Sequence, residues 1–145
     1  MNHQELINRL GETAGIDLSL SPTGTAAVLF DGDEVDFEST EGRLYVYADV
    51  ASAEGREADY AALLAANNLC LGTDGAAAGL DRERGMFTLC RVLDGDMEYS
   101  VFELAVAGFV DTLRSLKRML MGEAAPESEG AEEPVAFHDG GFMKV

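Results

Sequence analysis

Ala26-Ala27-Val28-Leu29-Phe30-Asp31-Gly32-Asp33-Glu34-Val35-Asp36-Phe37-Glu38 is the stretch whose reading decides the fold. An apolar run meets Asp31-Gly32, a dipeptide suited to a tight hairpin because its glycine accepts positive φ. Val35 and Phe37 then alternate with Glu34, Asp36 and Glu38, so one face of this strand is solvated. Glu41-Gly42 makes the next turn, after which Leu44, Val46 and Ala48 alternate with Tyr45 and Tyr47. Segment 16–49 is therefore predicted to form an antiparallel meander of three strands.

Helical periods flank the meander. Before it, Leu6, Ile7 and Leu10 make an apolar stripe within 2–14, with Asn2 and Glu5 spaced for a capping box and Gly15 as C-cap. After it, residues 56–70 return to a helical pattern in which Tyr60, Leu63, Leu64 and Asn67 are read as sharing a face. Thr73-Asp74-Gly75 breaks that helix, and Ala76–Leu80 and Met86–Leu93 form a second hairpin. Phe102, Val106, Phe109, Leu113, Leu116 and Leu120 then recur at steps of four and three, the strongest helical period in the chain. Phe102, Phe109 and Leu113 are core candidates. The order α-β-β-β-α-β-β-α defines an α+β domain with an antiparallel sheet over residues 1–121. Residues 122–145 read as an acidic, disordered tail, with apolar residues returning only at Val135–Met143.

Composition narrows the function. Ten Lys and Arg against 27 Asp and Glu leave a formal charge of -17 among 145 residues. Such a field repels phosphate backbones and anionic membrane surfaces, and it attracts basic partners. No signal peptide or run long enough to span a bilayer is read, so the expectation is a cytoplasmic protein without membrane insertion. The two cysteines, Cys70 and Cys90, are read as small buried hydrophobes.

Chemistry-bearing motifs are scarce. His3 and His138 lie near opposite ends of the chain, where neither is held as a general base on a rigid scaffold. The glycines spell no phosphate loop. The Asp31–Asp36 cluster places Val35 where a calcium loop needs oxygen and lacks its central glycine. No catalytic residue, metal ligand or cofactor motif is assigned.

The pattern instead resembles the CesT-like (Tir chaperone) family of class I type III secretion chaperones. Leu10-Gly11 through Gly15-Ile16, with Leu18-Ser19-Leu20 and Thr23-Gly24-Thr25, resembles the family's opening helix and turn into the sheet. Leu63-Leu64-Ala65-Ala66-Asn67-Asn68-Leu69 is similar to its second helix, and Gly75–Asp81 to the small-residue strand that follows. Met86–Leu93, Asp94–Met97 and Phe102 with Phe109-Val110-Asp111 resemble the closing strand, acidic turn and final helix. The match spans about residues 4–121, and an Ala- and Gly-rich fourth strand and the acidic tail depart from it.

The resemblance implies a non-enzymatic homodimer in the cytoplasm that binds the N-terminal region of a secreted effector and keeps it soluble and export-competent. A secretion ATPase is the further partner it suggests. Leu6, Ile7, Leu10, Val28, Phe30, Val35, Phe37, Leu44 and Val46 divide between core and client groove, since alternation does not say which sheet face is covered. Tyr60, Leu63, Leu64 and Asn67 are the dimer-interface candidates. Two other readings stand beside it: a dimeric adaptor or regulator of the same fold outside secretion, and a small hydrolase using a carboxylate pocket.

Overall fold

The computed structural model describes residues 1–122. The tail from residue 123 onward, with His138 and the Val135–Met143 segment, lies outside the described residues. Helix α1 spans His3–Ala14, and strands β1 Thr25–Phe30, β2 Asp33–Thr40 and β3 Arg43–Ser52 form the meander. Helix α2 spans Tyr60–Asn67, β4 Ala77–Asp81, β5 Met86–Asp94 and helix α3 Tyr99–Leu120. All strand pairs are antiparallel, in the order β1-β2-β3-β5-β4. The α+β order read from the sequence is the order observed.

Local signals explain the elements. Asn2 and Glu5 form a reciprocal capping box at 2.9 Å in each direction, so two orphan amides at the start of α1 are satisfied. Gly11 is buried because α1 packs directly on the following segment; a Cβ there would stand 2.7 Å from Leu18 Cβ. Asp31 and Gly32 both take positive φ, 49° and 89°, as a two-residue hairpin with right-handed strand twist requires.

One sheet face carries Val28, Val35, Phe37, Leu44, Val46, Ala48, Phe87, Leu89 and Leu93, all buried on the side that the helices cover, Phe87 against Tyr60 of α2. Phe102 of α3 meets Phe37 with ring centroids 6.2 Å apart. The opposite face, with Asp36, Tyr45, Tyr47 and Cys90, has no helix over it among the described residues.

Three local expectations are corrected. The helix read over 56–70 is regular only from Tyr60 to Asn67, with short 3₁₀ turns on either side. Leu69 and Cys70 adopt φ of 53° and 58°, which ends the helix and lets Gly72 N–H donate to Ala66 O at 3.1 Å. Neither cysteine is buried: Cys70 is exposed on that left-handed turn, and Cys90 lies half-buried on the open sheet face. His3 is held in the first turn of α1, its Nδ1 2.7 Å from Ser39 Oγ on β2.

Candidate functional site: an open sheet edge beside an apolar groove

The two edges of the sheet differ. At β4, the Asn67 carboxamide pairs with both backbone groups of Ala78 at 2.8 Å each. Thr73, fully buried, donates its hydroxyl to Ala76 O at 2.5 Å and accepts Ala76 N–H on its carbonyl at 3.0 Å. Side chain and turn thus satisfy the outward groups of Ala76 and Ala78 on this edge before any partner strand arrives.

Strand β1 is different. In its two-residue hairpin the flanking pair Phe30 and Asp33 faces inward, and so do Val28 and Ala26, two and four residues back. Ala27 and Leu29 therefore turn their N–H and C=O away from β2. Thr25, the next in that series, is tied up by Ser21, whose N–H and Oγ engage its carbonyl and amide at 2.8 and 3.1 Å. Among the described residues Ala27 and Leu29 have no such partner, and Leu29's side chain is 67% exposed. An unpaired strand edge of this kind is a template for an added strand.

A groove of about 470 Å³ runs beside this edge between α1 and α3. Leu10, Ala14, Leu29, Phe30, Val106 and Val110 give it apolar walls, and Asp31, Glu103, Asp111 and Arg114 give it a polar rim. Its end is fixed by Asp33, which accepts from Lys117 Nζ at 2.7 Å and Arg114 Nε at 3.0 Å, while Arg114 also donates to Phe30 O at 3.0 Å. The Lys117 hydrogen bond, with that from Arg114, holds the Asp33 carboxyl below its ordinary value against the opposing effect of burial.

These placements revise the client-binding candidates. Leu6, Ile7, Val35, Phe37, Leu44 and Val46 are at most 1% exposed and pack into the core, so they offer no surface to a client. Val28 lies just beneath the surface at 4%. Leu10 and Phe30 do line the groove, joined by Leu29, Val106 and Val110, none of which stood among the client-binding candidates. The missed signal was the step from Val106 to Val110, one helical turn on the α3 stripe.

The dimer candidates also separate. Leu63 is buried in its own subunit, and Asn67 is committed to β4. Leu64 is 70% exposed and Tyr60 37%, and the four residues, spaced i, i+3, i+4 and i+7, share the face of α2 that lines a pocket against β4 while differing in exposure. Leu69 at 75% and Leu71 at 49% extend the outward apolar surface next to a 180 Å³ pocket between α2 and β4 that Tyr60, Leu80 and Phe87 help to line.

Among the described residues no group of three His, Cys, Asp or Glu side chains is placed to hold a metal ion, and no helix is long and apolar enough to cross a membrane. Asp36, whose pKa is raised, lies on the open sheet face, and the depressed Asp33 is engaged in ion pairs.

The architecture is that of a small α+β protein with one helix-covered sheet face and an open edge at β1. The sequence model of the Tir chaperone protein (CesT) family matches residues 5–117, and the chain belongs to that family. A search of curated proteins finds no match. Among solved structures, the HopA1-SchA chaperone-effector complex aligns with TM-score 0.69 at 16% identity, over 80% of this chain and 93% of that one. The ExsC-ExsE complex gives 0.69 at 23% identity, covering 83% and 97%. The heterodimeric ExoU-SpcU complex from the type III secretion system of Pseudomonas aeruginosa gives 0.60 at 17%, covering 83% and 95%. At these identities the likeness establishes the fold.

Proposed function

We propose that this protein is a type III secretion chaperone that binds the N-terminal region of an effector and keeps it soluble and export-competent. The observation that carries this reading is the open β1 edge at Ala27 and Leu29 beside the groove between α1 and α3. A client segment entering as an added strand pairs its backbone with those groups while its apolar side chains fill the groove. Holding a segment in this way needs no nucleophile, metal or nucleotide. Family membership and the likeness to chaperone-effector complexes support the same reading.

The working unit is a homodimer in the cytoplasm that hands its client to the secretion ATPase. Leu64, Leu69 and Leu71 form its interface with the pocket between α2 and β4, an exposed apolar surface that a two-fold partner covers with the same residues.

Co-expression with the N-terminal segment of a type III effector from the same cell tests the proposal. The wild-type chain is expected to yield a soluble complex. Leu29→Pro removes an outward N–H and blocks strand addition, yet an edge strand tolerates proline where its N–H faces solvent. That variant is expected to fold and to lose the complex. Retention of the complex by a folded Leu29→Pro chain would contradict strand addition at β1.

A further inference from the structure

A second surface lies on the other side of the sheet. Its strands align in register across Ala27, Asp36, Tyr47, Cys90 and Ala77, one residue from each strand. The rows differ in chemistry. Strand β2 presents Glu34, Asp36 and Glu38; β3 presents Tyr45 and Tyr47; β5 and β4 present Val92, Cys90 and small residues. Val92 is 46% exposed, and Ala77 and Gly79 are exposed as well.

The acidic row is only partly compensated, with Arg84 acting on Asp36 from a distance. Arg84 neutralises Asp49 and Asp81 at one end of this face, at 2.8 and 2.7 Å, and Arg43 stands opposite Asp94 at the other. Among the described residues Glu34, Asp36 and Glu38 form no ion pair. Burial and the neighbouring carboxylates of Glu34 and Asp49 push the Asp36 carboxyl up, and Tyr47 is raised by burial and by Asp36 and Glu38. A cation arriving here relieves repulsion that the fold otherwise bears, and it finds a tyrosine ring beside the carboxylates.

We propose that this open face docks a cationic amphipathic helix of a partner protein, independently of the client groove. The dimensions fit. From β2 to β5 is two strand spacings, roughly 10 Å, which is the width of a helix lying along β3. One flank of such a helix rests on Val92, Cys90 and Ala77, and its Lys or Arg residues on the other flank reach Glu34, Asp36 and Glu38. Both the apolar row and the charged row are required, which distinguishes the site from general attraction to an acidic protein.

The test uses the full chain and a labelled helical peptide of about 18 residues, roughly 27 Å long, with leucines on one side and lysines on the other. A scrambled peptide of the same composition is the control ligand. The triple variant E34Q/D36N/E38Q is expected to weaken binding by about tenfold or more, whereas E12Q/E54Q/E57Q, which removes as much charge elsewhere, changes it by less than about twofold. Val92→Asp, at an exposed position that leaves the core intact, is expected to weaken binding comparably, and the scrambled peptide to bind the wild-type chain about tenfold less tightly. Each variant's folding is checked by its thermal transition. Equal losses from the two triple variants, or wild-type affinity in the first triple or in Val92→Asp, would overturn the assignment.

Discussion

The Asn67 side chain and the Ala78 backbone exchange two hydrogen bonds of 2.8 Å, so a carboxamide stands where the next strand of the sheet would be. This fastens α2 to β4 and spends the outward groups of Ala78 internally. Asn67→Ala is expected to cost about 1–2 kcal/mol, because two hydrogen bonds go and the Ala78 amide and carbonyl lose their partners. Urea denaturation should show a lower midpoint with an unchanged slope. Asn67→Asp keeps the acceptor and loses the donor, and should fall between the two. A midpoint equal to the wild type in Asn67→Ala would mean that water replaces the carboxamide at no cost.

Asp33 ties the hairpin of β1 and β2 to the last turns of α3 through Lys117 and Arg114. Its carboxyl is held below its ordinary value, chiefly by Lys117, so its contribution to stability is present above the unfolded value and disappears as pH falls through the folded one. The pairs are partly exposed, and Asp33→Asn is expected to lower the thermal midpoint at neutral pH by only about 3–6 °C. That difference should shrink as pH drops below the usual carboxylate range. A difference independent of pH would point to packing as its source, with no part played by charge.

Leu69 combines a left-handed backbone with a side chain that is 75% exposed. The conformation costs roughly 1–2 kcal/mol for a non-glycine residue, and a side chain this exposed recovers little of it by burial within the chain. Leu69→Gly is therefore expected to stabilise the isolated subunit slightly and to weaken the homodimer by about tenfold or more. Analytical ultracentrifugation over a concentration series distinguishes the two effects. A dimer as tight as the wild type would place the interface elsewhere.

The order of elements was legible because helical and alternating periods change cleanly at Gly15, Asp31-Gly32, Glu41-Gly42 and Thr73–Gly75. The site was less so. Alternation put Val35 and Phe37 on one face of β2, but only the packing of α1 and α3 makes that face the core and its acidic counterpart the open one. The same parity put Cys90 on the open face, a fact hidden by its apolar neighbours. Leu63 and Leu64 are adjacent in sequence and about 100° apart on α2, so one is core and the other surface. The open edge at Ala27 and Leu29 depends on which strand ends the sheet and on what Asn67 and Thr73 do at the other end. Those are long-range pairings with no local signature.

Hydrogen–deuterium exchange at the amides of Ala27 and Leu29, measured with and without a bound effector segment, tests most directly how this chaperone holds its client. Both amides face away from β2 and are expected to exchange quickly in the free protein. In the complex an added strand should slow their exchange by at least about a hundredfold, while the inward amide of Val28 stays protected throughout. A client that binds with full affinity and leaves Ala27 and Leu29 exchanging at their free rates would contradict strand addition at β1.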